Sequence, residues 1–280
     1  MKIWAHTLVK NEERFIWYAL MSVIEHVDKI LVWDTGSTDN TVAIVKQIIK
    51  NHPDKIVFRE VGAVTIDKFT EVRQEMLLAT NADWMMILDG DEVWWEDSII
   101  KHIELIKAKG SYLESLVTPY KNIIGDMFHY LSECAGKYTI DGRTGNLTIR
   151  FNNMSIPGLT FKKPHGQQGL YDNDGNVIQN RSKDKRIFID APYLHFTHMP
   201  RSVSREEDVK VPKRGFKYKY EIGNTFPLDF YYPEVFFRPR PSIVPNIWTL
   251  RSKRYEFAAY MERPLKFIKR KVWLYGKSGY

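Results

Sequence analysis

The sequence predicts an α/β fold, a mostly parallel sheet flanked by helices, and three observations carry that prediction. Over the first hundred residues short β-rich runs alternate with amphipathic stretches, the pattern of βαβ units. The run Trp84-Met85-Met86-Ile87-Leu88 has no polar alternation, as expected of a strand buried on both faces. With 44% hydrophobic and 27% charged residues among 280, the chain can build one large core and is neither disordered nor collagenous in composition.

Taken in order, Ile3–Val9 reads as a strand and Glu13–Val27 as a helix, with Phe15, Ala19, Leu20, Val23 and Ile24 on one face. Lys29–Trp33 is a second strand. It ends at Asp34-Thr35-Gly36-Ser37-Thr38-Asp39-Asn40-Thr41, a turn rich in capping residues that opens a helix over Val42–Lys50. Ile56–Val61 reads as a strand, Phe69–Thr80 as a helix and Trp84–Leu88 as the buried strand, followed at once by Asp89-Gly90-Asp91-Glu92. Leu116–Tyr120, Leu147–Asn152 and Ile187–Phe196 are further strands, and Asn173-Asp174-Gly175-Asn176 is a hairpin turn. Trp248–Tyr275 has helical stretches that Pro264 limits or kinks. In an open α/β sheet ligands bind beyond the carboxyl ends of the strands, so the residues after Val9, Trp33 and Leu88 should share one rim.

The single cysteine, Cys134, excludes an intrachain disulfide framework and a Cys-rich zinc site, and favours a reducing compartment. No window approaches the roughly 18 apolar residues of a spanning helix. Met1–His6 runs into Lys10, Glu12, Glu13 and Arg14 instead of a cleavable apolar core. Neither a signal peptide nor a membrane span is expected, and the expected location is cytoplasmic.

The net charge of +7 is unevenly spread: from residue 211 onward 15 Lys and Arg stand against 5 Asp and Glu, and the same stretch holds 17 of the 38 aromatic residues. With Pro212, Pro227, Pro233, Pro239, Pro241, Pro245 and Pro264 interrupting it, this shift predicts a catalytic domain over residues 1–210 and a partly helical extension over 211–280.

Two carboxylates flanking a glycine at the end of an apolar strand repel each other and lose solvation, and a divalent cation removes both problems. Asp89 and Asp91 are oxygen ligands suited to Mg²⁺ or Mn²⁺, and Gly90 allows close approach of a phosphate. A bare Asp-Gly-Asp is equally compatible with a solvated turn, so its context decides. That context resembles the family 2 glycosyltransferases of the GT-A fold. The resembling blocks are Leu8-Val9-Lys10-Asn11-Glu12-Glu13, Ile30 through Thr41, Phe69-Thr70-Glu71-Val72-Arg73, and Ala82 through Glu92, in family order and spacing. The resemblance is strong over about residues 3–95, loose over 96–200 and faint beyond.

The resemblance implies a GT-A Rossmann-like sheet with a nucleotide-sugar half over about 1–95 and an acceptor half over about 96–210. It implies that Leu8, Asn11 and Glu12 lie at the nucleotide, that Asp34 bonds the base or ribose, and that Arg73 bonds the base or diphosphate. Asp89 and Gly90 belong to the donor site. The resemblance also implies that Asp91 is the metal-ligating and catalytic carboxylate of a DXD motif and shares the cation with Asp89 and with His195. On a continuous strand the three-residue offset sends His195 and His198 to opposite faces. The relatives' His-Glu pair is replaced here by His165-Gly166, so His165 and Asp190 are both open as the general base. The activity implied is metal-dependent, inverting transfer from a nucleoside-diphosphate sugar, UDP-linked in the commonest case, to a glycan or lipid-linked acceptor in cell-envelope or surface polysaccharide synthesis.

The basic aromatic segments, Lys213–Tyr220 and Arg263–Tyr275, read as an interfacial element on an anionic membrane at its inner face or a dock for an anionic acceptor, or as a subdomain packing its aromatics on the core. A nucleic-acid- or polyanion-binding protein is the alternative class, suggested by the pI near 9.2. Nucleic acid is disfavoured as a partner because no RNA- or DNA-binding motif appears and the first 210 residues are net acidic.

Overall fold

Four strands with apolar inner residues pair in parallel and set the frame. They are β1 (Ile3–Val9), β2 (Lys29–Asp34), β3 (Ile56–Glu60) and β4 (Trp84–Ile87), in the spatial order β3-β2-β1-β4. The structure, a computed structural model, describes residues 1–136, 138–164 and 167–273. The register aligns Val9 with Asp34 and His6 with Ile87, so the carboxyl ends of the central strands open on one rim.

Helices α1 (Ile16–Val23), α2 (Thr41–Asn51) and α3 (Phe69–Leu78) cover the faces of this sheet. α1 is shorter than its sequence pattern because residues 12–15 form a turn in which the Phe15 and Ile16 amides donate to Glu12 O. β5 (Glu92–Trp94) leads into α4 (Glu96–Lys109), which buries Ile99, Ile103 and Ile106. No side chain of its own caps α4. The carboxylate of Glu234 accepts the Glu96 amide at 2.9 Å instead, and Glu96 and Asp97 in the first turn with Lys107 and Lys109 in the last suit the helix dipole.

Beyond β4 the sheet becomes antiparallel. β6 (Ser115–Ile124) and β7 (Asp126–Tyr130) form one arm, β8 (Tyr138–Ile140) and β9 (Arg143–Gly145) a small hairpin, and β10 (Leu147–Asn153) lies between β6 and β4. β11 (Thr160–Lys162) and β12 (Gly169–Tyr171) pair apart from the main sheet, and the predicted turn follows them with Gly175 at φ +80°. The stretch 187–196 is two strands, not one: β13 (Arg186–Phe188) and β14 (Tyr193–His195), separated where Asp190-Ala191-Pro192 breaks the ladder. Both run parallel to β6, and β14 also pairs antiparallel with β5, setting His195 opposite Glu92.

The short helix α5 (Arg205–Val209) precedes an irregular segment that wraps the molecule. Phe226 stacks on Phe230 at 3.8 Å and on Tyr130 at 4.5 Å, and Tyr18 meets Phe236 at 5.3 Å while donating its hydroxyl hydrogen to Pro245 O at 3.2 Å. Phe226, Val235, Phe236, Val244 and Ile247 are buried in the main core. At roughly 1.5–3 kcal/mol per buried large apolar side chain, this segment is part of what holds the sheet together. The final helix, α6 (Lys253–Trp273), continues through Pro264 and docks by Tyr255, whose hydroxyl donates to Lys219 O at 2.9 Å. Among the described residues, no helix is long and apolar enough to cross a membrane.

Candidate active site

The rim carries a cavity of about 570 Å³, within the range of small-ligand sites. Leu8, Glu12 and Thr35 line it from the ends of β1 and β2, Asp89, Gly90 and Asp91 from the end of β4, and Arg73 from α3. The antiparallel half adds Arg150 and His195, and the segment after α5 adds Arg214 and Lys217.

Asp89 is partly exposed and lies between two guanidinium groups, Arg73 Nη2 at 3.2 Å and Arg150 Nη2 at 3.2 Å. Burial raises its pKa, but Arg150 and Arg73 outweigh burial and hold the carboxyl below its ordinary value. Arg150 reaches this point from a β-bulge: the register between β10 and β6 slips between Ile149 and Phe151, and the bulge re-aims the side chain toward the rim. There Arg150 also makes a close ion pair with Glu92, which is fully buried, and donates from Nε to the Tyr193 hydroxyl at 3.2 Å. Burial holds Glu92 well above the usual carboxylate range.

Asp91 is buried. Its Oδ2 lies 3.1 Å from Arg201 Nη1 and 3.6 Å from His195 Nε2, yet has no aligned hydrogen-bond donor. Arg201 and His195 keep its pKa below the ordinary value against the opposing effect of burial. Burial lowers His195 to about 4, so the imidazole is neutral near pH 7 and can offer a ring-nitrogen lone pair, and its Nδ1 is buried without a partner.

Behind Asp91 lies a network that local sequence patterns do not reveal. Glu12 Oε1 accepts from Arg201 Nη1 at 2.8 Å and from Arg214 Nη2 at 2.5 Å. Arg214, 3% exposed, also donates to Lys10 O at 2.8 Å, to Asn11 O, and to Asp208 Oδ1 at 3.2 Å. Burial pushes Glu12 up to about 7 even with both arginines pulling the other way. The cavity cations Arg201 and Arg214 are thus both held by Glu12, 189 and 202 residues away in sequence, a pairing without a local signal.

The sequence-selected residues separate into two groups. Leu8, Glu12, Arg73, Asp89, Gly90, Asp91 and His195 converge on the cavity. Asn11 and Asp34 are buried beside it and serve the backbone. Asn11 adopts φ +53°, accepts from the Thr38 amide at 2.8 Å and donates to Glu207 O at 2.7 Å. Asp34 Oδ2 accepts the Gly36 and Ser37 amides, both at 2.9 Å, while its buried Oδ1 has no partner. Asp190 does not reach the cavity: it is exposed in the connection that breaks β13 from β14. His165 lies outside the described residues. His198 corrects the strand-offset expectation, since it lines the same cavity as His195. β14 ends at His195, so alternation no longer governs the next three residues, and the His198 Nδ1–H donates to Lys217 O at 2.7 Å.

The donor set open to a divalent cation is small. Among the described residues no group of three or more His, Cys, Asp or Glu could hold a metal by itself. Asp91 Oδ2, buried and without a hydrogen bond, and the neutral His195 beside it form a two-ligand face, and Mg²⁺ or Mn²⁺ sites commonly use few protein ligands and complete their shell with substrate phosphates and water.

The model of Glycosyl transferase family 2 matches residues 6–156, over half of the 280. A TPR repeat-containing protein of Synechococcus elongatus is 32% identical over 90 residues, which cover 30% of this chain and 19% of that protein. Among solved structures, S. aureus TarS 1–349 in complex with UDP-GlcNAc is 14% identical, with a TM-score of 0.49 over 70% of this chain and 58% of that one. Glucosyl-3-phosphoglycerate synthase from Mycobacterium tuberculosis, in complex with Mn²⁺ and UDP-glucose, is 22% identical with a TM-score of 0.31 over 44% of this chain and 43% of that one. The chain spans less than two thirds of the length of each of these relatives.

Proposed function

Because the chain belongs to glycosyl transferase family 2, we propose that this glycosyltransferase binds a nucleoside-diphosphate sugar, UDP-linked, in its rim cavity and transfers the sugar to a hydroxyl of a glycan or lipid-linked acceptor. One observation carries the reading: Arg73, Arg150 and Arg201 converge on Asp89 and Asp91 at the end of β4, beside the strand ends where a nucleotide fits. Transfer is proposed to invert the anomeric carbon, as part of cell-envelope or surface polysaccharide synthesis.

Breaking the glycosyl bond leaves negative charge on the departing diphosphate. Arg73, Arg150, Arg201 and Lys217 supply fixed positive charge there, and Glu12 holds the Arg201 guanidinium in place before any ligand arrives. Asp91 and His195, with Asp89 alongside, would hold the divalent cation, which supplies Lewis-acid stabilisation of the leaving phosphate when bound. Leu8 and Thr35 form the wall proposed for the base, and the orphan Oδ1 of Asp34 is the proposed acceptor for a base or ribose donor. With Asp190 outside the cavity, His165 is the remaining proposal for the base that takes the acceptor's proton.

Calorimetric titration with UDP, GDP and dTDP, each with Mn²⁺, Mg²⁺ or chelator, tests the donor site. The expected result is metal-strengthened binding of one nucleotide, lost in Asp91→Asn and weakened at least tenfold in Arg201→Met. Failure of every nucleotide to bind under every metal condition would overturn the reading.

We further propose that α6 rests on an anionic membrane surface. Phe257, Tyr260 and Met261 are exposed at helical spacing, with Lys253, Arg254 and Arg263 exposed around them, whereas Lys266 turns inward to donate to Tyr220 O at 2.6 Å. Co-sedimentation with phosphatidylglycerol vesicles should fall when Lys253, Arg254 and Arg263 are replaced by Gln. Absence of vesicle binding by the unaltered chain would sink this part.

A further inference from the structure

One stretch of the cavity carries no charged side chain. Tyr120 and Asn122 line it from β6, Tyr138 from β8, and Asn146 from the residue before β10. Asn122 and Asn146 are 7% and 6% exposed, and Asn122 Nδ2 donates to Asn146 Oδ1 at 3.2 Å. That bond leaves Asn122 Oδ1, an acceptor, and Asn146 Nδ2, a donor, buried without partners. Exchanging nitrogen for oxygen in both amides leaves the same result, one unpaired donor and one unpaired acceptor. The same cavity is lined by Gln168 and Gln179, whose buried Nε2 and Oε1 are also unpartnered. Buried amides left unpaired are destabilising, so their collection in one cavity, balanced between donors and acceptors, calls for a ligand that pairs them.

We infer that the Asn122–Asn146 amide pair is a subsite for a neutral sugar ring, recognised through adjacent hydroxyl groups. A hydroxyl donates and accepts at once, so two neighbouring hydroxyls match one free amide oxygen and one free amide nitrogen. A carboxylate or phosphate, which only accepts, would leave Asn122 Oδ1 facing it unpaired. The tyrosines supply apolar ring surface against which the C–H face of a sugar packs. Location agrees with the chemistry: Asn122 pairs with His195 across β6 and β14, one strand spacing, about 4.8 Å, from the residue that faces Asp91. The sugar held there is either the one being transferred or the one receiving it. Gly136 packs so closely on this wall that a Cβ would stand 2.2 Å from Asn146 N, which fixes the amide's backbone.

This inference rests on the proposed donor site, and two arms of one experiment separate the two. In the first, UDP is compared with UDP-glucose and UDP-N-acetylglucosamine by calorimetry. In the second, which needs no nucleotide, saturation-transfer NMR follows methyl glycosides of glucose, galactose, mannose and N-acetylglucosamine, with methyl glucuronide and 3-phosphoglycerate as charged controls. Asn122→Ala and Asn146→Ala should each weaken sugar binding at least fivefold and leave UDP within twofold. Loss confined to the nucleotide-sugar increment assigns the subsite to the transferred sugar, and loss confined to a methyl glycoside assigns it to the acceptor. Should the alanine variants fail to fold, Asn146→Asp keeps the shape and the bond accepted from Asn122 Nδ2, removes the free amide donor and should give the same loss. Unchanged sugar binding in all variants, or binding of charged controls alone, overturns the inference. Failure of UDP alone, with glycoside binding intact, would count against the donor site and not against this one.

Discussion

Replacing Arg214 with Met tests whether the network behind Asp91 is structural capital for the site. The side chain is 3% exposed and donates to Lys10 O, Asn11 O, Glu12 and Asp208, so methionine fills much of its volume but leaves two carbonyls and two buried carboxylates short of a partner. Removing one member of a buried ion pair costs roughly 3–5 kcal/mol. The lower end applies, because Glu12 keeps Arg201 at 2.8 Å and Asp208 keeps the Arg201 and Ser202 amides at 3.1 Å. Glu12 can also protonate, since burial already lifts it to about 7. A loss of about 3 kcal/mol lowers the melting temperature by roughly 6–12 °C for a chain of this size. Differential scanning calorimetry at pH 7.5 reads the shift, and the double variant Arg214→Met with Asp208→Asn should recover at least about 1 kcal/mol by removing the buried charge that has lost its arginine partner. A loss below about 1 kcal/mol, or a double variant no more stable than the single one, would refute the reasoning.

Acidification should destabilise the fold before it titrates any ordinary carboxylate. His6 and His102 are buried, and burial lowers their pKa values to about 3 and about 4. The unfolded chain takes up protons at these positions below about pH 6.5 while the folded chain does not, so the contribution of these two residues is constant above that value and falls as pH drops through the window, against an opposite contribution from Glu12, which burial raises to about 7. At pH 5 each contributes a loss of about 2 kcal/mol, and His102→Gln should flatten the slope measured by urea unfolding; an unchanged slope would count against burial as the cause. Gly90→Ala places a Cβ 3.0 Å from Glu12 Cγ and 3.3 Å from Val9 Cγ1, and because two arginines hold Glu12 the methyl should weaken nucleotide binding about tenfold for about 1 kcal/mol of stability. Titration calorimetry reads it, and wild-type affinity would show that Gly90 is dispensable. Gly125→Ala forces a residue at φ +78° and sets its Cβ 2.8 Å from Tyr255 Cε1, so α6 should loosen and exchange its amides faster, an effect absent if the docking of Tyr255 is unimportant.

β2 and β4 are legible because burial on both faces makes each an apolar run, β1 and β3 only as short β-rich runs between helical stretches, since β1 carries His6 and Thr7 and β3 buries Ile56 alone, and the DXD carboxylates because they follow β4 directly. α4 is equally legible in Ile99, Ile103 and Ile106, which recur at helical spacing just after the acidic cluster. The break between β13 and β14 was less so: the apolar character continues from Ile187 to Phe196, and only Pro192 marks the place where one strand leaves the start of β6 and another joins it further along. The same break leaves Asp190 in solvent. At the site, what could be read was whatever lies within a few residues of a strand end. Arg150 owes its place to a one-residue slip in pairing, and Arg201 and Arg214 owe theirs to partners near residue 12, so no window of sequence contains either fact.

The uneven charge of the chain acquires its meaning only when folded. The basic excess after residue 211 is divided by side-chain direction. Arg214 turns inward to neutralise Glu12 and Asp208, Lys217 lines the cavity, and Lys253, Arg254 and Arg263 face solvent. The inward group joins Arg73, Arg150 and Arg201 in one basic set around the rim carboxylates: without that set, Glu12, Asp89, Asp91 and Glu92 would repel a diphosphate. With it, each of those carboxylates faces at least one arginine, and an entering diphosphate meets guanidinium groups whose own charges are already balanced and held in position. The carboxylates therefore orient the arginines besides the proposed part in holding a cation, and removing Asp91 should disturb Arg201 even where no metal is bound.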